Sequence, residues 1–213
     1  MRSSAFLRNG YAAFRKSRLK GSESLFRTLA EGQSPKAMVI SCCDSRVDPT
    51  VIFDAQPGDL FMVRNVANLV PPYTPTGGYH GVSAALEFAV TGLNIEHILI
   101  MGHRSCGGIQ ACLGGHYEKA AGGSFIGKWM SILEPARARV LERYGNAPRE
   151  EQQRALEEEG IRQSIANVQE FPFVRERMGK ETLSVHGGYF DIGSATLYAM
   201  DGGTGEFLPM PES

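Results

Sequence analysis

Residues 36–46 read KAMVISCCDSR, and residues 98–108 read ILIMGHRSCGG. Each begins as a short, continuous apolar run and stops at a cluster of thiol, charged or imidazole side chains. An apolar run of this length without polar alternation is the pattern of a strand buried on both faces, as in a parallel sheet. It predicts strands over Lys36–Ser41 and Ile98–Gly102. Asp59–Arg64 (DLFMVR) is a third such run and Thr182–His186 (TLSVH) a weaker fourth. Thr196–Met200 (TLYAM), after the turn-like Asp191–Ser194, adds an edge strand.

Helical patterns lie between and around these runs, at Ser22–Ala30, Gly81–Thr91, Ser124–Tyr144 and Glu150–Gln169. Alternation of strands and helices predicts an α/β fold: a central, mostly parallel sheet of about four parallel strands plus an antiparallel edge strand, flanked by helices. In Ser124–Tyr144 the residues Phe125, Trp129, Ile132, Leu133 and Val140 form an apolar stripe. That stripe reads as core packing, and Trp129 receives no further role. The acidic run Glu157–Glu159 reads as a solvated helix face. No repeat or linker divides the chain, so 1–213 is read as one domain.

Residues 1–20 carry six bases and no acid. Phe6, Leu7, Tyr11, Phe14 and Arg18 keep a helical spacing there, which predicts an amphipathic arm packing on the body of the protein or on a partner subunit. An organelle transit peptide is the lesser alternative. Lys+Arg of 22 against Asp+Glu of 23 leaves a net charge of −1. A chain so balanced lacks the basic excess that drives binding to a phosphate backbone, so no nucleic-acid partner is expected. No apolar stretch approaches the ~18–20 residues that span a bilayer, and no membrane role is expected. A chain of 213 residues can build a core without disulfide staples. Its four cysteines therefore suit a reducing compartment, read as the cytoplasm.

The chemistry gathers at the predicted strand ends, where open α/β sheets place their ligand sites. Cys42, Asp44 and Arg46 follow the first strand; His103 and Cys106 follow another. Two thiolates and an imidazole suit Zn²⁺, which favours four tetrahedral ligands; three from protein leave one position open, the mark of a catalytic site. Gly107 and Gly108 would permit positive φ or close backbone approach as the next helix begins. Cys43 and Cys112 are read as structural.

These motifs, C-x-D-S-R at 42–46 and H-x-x-C-G-G at 103–108, closely resemble those of the β-class carbonic anhydrases, in particular the plant-type and related bacterial branch. Further matching stretches are Gln33–Lys36 (QSPK), Gln56–Asp59 (QPGD), Val63–Tyr73 (VRNVANLVPPY), Leu86–Val90 (LEFAV), Phe171–Arg175 (FPFVR) and Gly187–Asp191 (GGYFD). The resemblance implies one Zn²⁺ per chain on Cys42, His103 and Cys106, and reversible hydration of carbon dioxide to bicarbonate and a proton by zinc-hydroxide attack. It implies that Asp44, held by Arg46, accepts a hydrogen bond from the nucleophile, and that Gln33, Phe61, Val66 and Phe88 line the substrate pocket, some arriving from a second subunit. It further implies a homodimer at least, with tetramers or larger assemblies common. Phe88 stands where plant members carry Tyr, and Gly92 where they often carry a His proposed to move protons. A second branch closes its site through the Asp beside a bicarbonate pocket built with a Trp and a Gly. Val39 and Ser41 occupy those positions here, which predicts an open site, although Arg64, used in that branch, is present.

Three rival readings are a structural zinc module saturated by Asp44, a thiol redox protein, and the same scaffold acting on a carbon dioxide analogue such as carbon disulfide. The Asp44–Arg46 pair weighs against the first, and the absence of C-x-x-C against the second.

Overall fold

A computed structural model describes residues 4–76, 78–117 and 124–211, and the chain divides after Ser34 into two compact units.

In the first unit, helix α1 (Ala5–Ala13) is capped by Ser4, whose hydroxyl accepts the Leu7 N–H at 3.3 Å, and it continues through a wide turn at Phe14–Arg18. Helix α2 (Glu23–Glu31) follows. The Phe14 ring meets Phe26 edge-on at 5.7 Å. Phe6, Leu7 and Tyr11 remain 82%, 61% and 64% exposed, so the apolar side of α1 is not covered by its own unit. Arg2 of the basic stretch lies outside the described residues.

The second unit runs β1 (Ala37–Cys42), α3 (Pro49–Ile52), β2 (Leu60–Asn65), α4 (Gly81–Glu87), β3 (His97–His103), α5 (Gly107–Leu113), α6 (Phe125–Met130) and α7 (Glu134–Tyr144). It continues through α8 (Arg149–Glu170), α9 (Pro172–Gly179), β4 (Ser184–Asp191), β5 (Thr196–Met200) and β6 (Phe207–Pro209). Among the described residues the sheet order is β2-β1-β3-β4-β5-β6. The first four strands are parallel, and β5 and β6 antiparallel. This is the α/β architecture expected, with one correction: β5 is not the edge, because Phe207–Pro209 pairs beyond it. Three residues around a proline are too short for a periodicity to announce.

Ile98, Ile100, Met38 and Ile40 are fully buried between the sheet and Ile161, Ile165 and Val168 of α8. Each such side chain contributes about 1.5–3 kcal/mol. The approach is close: a Cβ on Gly187 would stand 3.0 Å from Met200 Cβ, 3.1 Å from Ile161 Cγ2 and 3.1 Å from Ile165 Cδ1.

Two helix expectations change. Ser124–Tyr144 is not one helix; it tightens at Ser131–Leu133 and restarts as α7, because Pro135 has no N–H to carry the ladder through. The glutamate run is not wholly solvated: Glu157 is 3% exposed while Glu158 and Glu159 are half-buried.

From β1 the chain steps to one side to form β2 and to the other to form β3. Loops leaving the carboxyl ends of β1 and β3 therefore diverge, and a crevice opens between them. Open α/β sheets bind ligands at such a switch point. Cys42 and His103 end those two strands.

Candidate metal centre

The loop after β1 is tied down on both sides. Asp44 accepts the Arg46 backbone N–H (2.9 Å) and Nε–H (2.9 Å) at Oδ1, and Nη2–H (2.6 Å) at Oδ2. Two parallel donors of one guanidinium thus grip both oxygens, and the same Nη2 donates to the Ser105 carbonyl at 3.1 Å, joining the two ligand loops. This grip holds the Asp44 carboxyl well below the usual carboxylate range. Arg64 reaches under the loop, donating to the carbonyls of Cys42, Asp44 and Val47 at 3.1, 2.7 and 2.6 Å. Those three carbonyls occupy its guanidinium as a brace.

The loop after β3 turns sharply at Ser105, whose φ of 58° is left-handed. Arg104 N–H donates to the Phe190 carbonyl, and its guanidinium pairs with Asp191 and Glu150. The positive φ falls on Ser105 and on neither glycine. Gly108 does meet the other expectation: a Cβ there would stand 2.8 Å from Val66 Cγ1, whereas Gly107 has open space. Cys106 caps α5 with its side chain buried, and its N–H donates to Glu157 Oε1 at 2.9 Å.

Cys42, His103 and Cys106 converge as the sequence motifs required. Their ligand atoms lie within 4.8 Å of one another, all buried. Two sulfurs about 2.3 Å from a tetrahedral zinc would stand roughly 3.8 Å apart; Cys42 Sγ and Cys106 Sγ are 3.9 Å apart. His103 Nδ1 is bonded to the Arg104 carbonyl at 2.9 Å, so it carries the hydrogen, and the lone pair sits on Nε2. Among the described residues that buried nitrogen has no hydrogen-bond partner, which leaves its lone pair free to serve as a metal ligand. The donor set fits Zn²⁺.

The sulfurs are unequal. Cys42 is drawn down to a pKa of about 4 by the Cys106 thiol beside it, against burial, with further help from His103 and the N–H groups of Asp44 and Ala67. Cys106 is pushed up by its bond to Cys42 and by burial. A metal would take both sulfurs as thiolates, so its binding releases protons. Asp44 Oδ2 stands 3.8 Å from His103 Nε2, with both carboxylate oxygens turned to Arg46.

The pocket residues are brought together in part. Phe61 of β2 and Phe88, on a wide π-type turn after α4, pack with ring centroids 5.9 Å apart. A Cβ at Gly92 would stand 3.3 Å from Phe88 Cδ2, so the missing side chain gives the ring its place. Val66 leads into Ala67 and Asn68, consecutive left-handed residues (φ 64° and 49°) that are both buried. Such backbone costs roughly 1–3 kcal/mol per residue and needs outside support. Asn65 bridges to both backbone groups of Leu69, Ser164 bonds to Asn68 and Val70, and Trp129 Nε1–H donates to the Val66 carbonyl at 2.8 Å. Trp129 therefore does more than fill the core: it steadies the segment that aims the Ala67 N–H at Cys42. Gln33 is exposed in the N-terminal unit.

Two groups behind the centre escaped the sequence reading. The Ala67 N–H has no side-chain signal. Glu157 has one, since it shares the i, i+3, i+4, i+7 face with Gly160, Ile161 and Ser164.

A family model described as carbonic anhydrase matches residues 37–197. Beta carbonic anhydrase 3 of Arabidopsis thaliana is 37% identical over 198 residues, covering 92% of this chain and 76% of that protein. Among solved structures, the β-carbonic anhydrase CcaA superposes with a TM-score of 0.88 at 32% identity, covering 96% of this chain and 98% of that one. One of two tetrameric β-carbonic anhydrases from Sordaria macrospora superposes with a TM-score of 0.81 at 28% identity, over 92% of this chain and 95% of that one.

Proposed function

The chain belongs to the β-carbonic anhydrase family, and on that footing we propose which residues perform the reversible hydration of carbon dioxide and how. The protein is a zinc-dependent carbonic anhydrase interconverting carbon dioxide and water with bicarbonate and a proton. Cys42, His103 and Cys106 hold the metal. Zinc, when bound, supplies a Lewis acid that lowers the pKa of a water from 15.7 toward about 7.

The remaining work falls to the chain's own side chains. Asp44 accepts the nucleophile's hydrogen bond and points a lone pair of the nucleophile at carbon. Arg46 keeps that carboxylate from swinging in as a fourth protein ligand and closing the site. Carbon dioxide is small and apolar, so in this reading Phe61, Val66 and Phe88 offer it an apolar wall and Gln33 an amide N–H to one oxygen, some of them arriving from a second subunit. With Phe88 in place of Tyr and Gly92 in place of His, neither a phenol nor an imidazole stands there to carry the released proton, which passes to buffer by another route. The observation that carries this reading is the juxtaposition of the three buried donor atoms with a carboxylate gripped on both oxygens by one arginine. The test is hydration followed by stopped flow with a pH indicator, alongside metal analysis. One zinc per chain and hydration lost on chelation are expected; full activity in metal-free protein would refute the assignment.

A second copy completes the molecule in this reading. The exposed apolar side of α1, with Phe6, Leu7 and Tyr11, supports an arm that packs on a partner subunit, giving a dimer or a larger assembly. Sedimentation velocity should show wild-type protein as dimers or larger, and a Phe6→Ser, Leu7→Ser, Tyr11→Ser variant shifted toward smaller species. Identical distributions would remove the arm's role. None of the four cysteines is paired in a disulfide, which supports a reducing location such as the cytoplasm.

A further inference from the structure

Glu157 lies in the middle of α8, between fully buried Leu156 and the close-packed Gly160 and Ile161, where an apolar side chain would be the cheaper occupant. No ion pair to Glu157 is recorded among the described residues, and burial pushes its carboxyl up. What the position receives is three converging donors: Cys106 N–H and Gln153 Nε2–H at Oε1, each at 2.9 Å, and the Tyr189 hydroxyl at Oε2, also at 2.9 Å. Tyr189 belongs to β4, the neighbour of the strand that ends in His103. The carboxylate thus links helix α8, strand β4 and the backbone of a metal ligand.

The surroundings explain why a hydrogen bond is needed there. Glu157, Ser105, Arg104, Gln153 and Arg154 line a surface cleft of about 470 Å³ behind the ligand turn. The cleft's lining is polar, so on this side the turn is held by hydrogen bonds rather than by apolar packing. The turn itself spends strain on the left-handed Ser105.

We propose that Glu157 is a positioning residue for the metal centre: its Oε1 pins the Cys106 amide to α8 and fixes where the Cys106 sulfur stands, slowing metal loss. This rests on Cys106 being a zinc ligand, as argued above. The side chain acts by reach, through an acceptor oxygen at the right distance, and not by its charge.

Glu157→Gln and Glu157→Asp separate the two. The first keeps an acceptor at full reach and discards the charge; the second keeps the charge and withdraws the oxygen by one methylene. Zinc-loaded proteins are mixed with a chromogenic chelator and the rate of zinc transfer is read, with the sulfur-to-metal absorption of the Co²⁺-loaded forms as a second signal. Glu157→Asp should release zinc about 10–100-fold faster, the usual range for loss of such support, with shifted Co²⁺ bands, while Glu157→Gln stays close to wild type in both. Glu157→Met should follow Glu157→Asp, and if it does not fold, the Asp and Gln variants decide alone. Equal rates for Asp and Gln, whether both fast or both slow, overturn the proposal. Failure of wild-type protein to take up zinc would instead strike the metal centre itself, and is seen before any variant is compared.

Discussion

Cys106→Ser protein should emerge folded, poor in zinc, and slower in carbon dioxide hydration by on the order of a thousandfold or more, since the acidity of the nucleophilic water depends on the metal. The substitution changes one buried atom at the cap of α5 and leaves the Cys106 backbone bond to Glu157 available. A serine hydroxyl stays protonated where a thiol ionises, and its oxygen is a harder and weaker ligand for Zn²⁺ than thiolate sulfur. Metal analysis with stopped-flow hydration reads both consequences. Cys106→Ser protein that kept a full complement of zinc and wild-type turnover would show that this sulfur is no ligand.

Asp44→Asn separates holding the metal from using it. Zinc content should stay near wild type, because the three donor atoms are untouched, while turnover falls roughly 10²–10⁴-fold, the range for loss of a positioned hydrogen-bonding group in a proton-coupled step. The physical reason is the grip of Arg46. Asp44 Oδ1 accepts two N–H groups and Oδ2 a third. An amide nitrogen at either place meets an Arg46 N–H it cannot accept: at Oδ1 it faces the backbone N–H and Nε–H, and at Oδ2 it faces Nη2–H while putting a donor where the nucleophile needs an acceptor. Turnover equal to wild type in a zinc-replete Asp44→Asn protein would remove Asp44 from the mechanism.

The parts legible in the linear chain were those where a change of chemistry coincides with a change of periodicity. Cys42 and His103 could be found because each abuts an apolar run that can only be a strand buried on both faces. Asp44 and Arg46 could be paired through the resemblance that C-x-D-S-R carries. Glu157 was missed because three consecutive glutamates read together as one solvated face, although the phase it shares with Gly160, Ile161 and Ser164 marks it as inward. On a helix, adjacent residues stand about 100° apart, so one member of such a run can face inward. The tightening at Ser131–Leu133 and the short strand β6 were hidden for a related reason: a few residues are too little for any period to register.

By itself, then, the order of residues determined the strand and helix alternation, because this depends on local burial, and through the resemblance of C-x-D-S-R and H-x-x-C-G-G it pointed to Cys42, His103 and Cys106 as a group able to hold a metal, with Asp44 and Arg46 beside them. Only the tertiary structure decided that β2 and β3 lie on opposite sides of β1, that the Ala67 and Cys106 amides are aimed at Cys42 and Glu157, and that Trp129 and Ser164 brace left-handed backbone at Ala67 and Asn68. Those features depend on contacts between segments far apart along the chain. Their energies are settled only when the strands and α8 are packed together, and no window of neighbouring residues contains them.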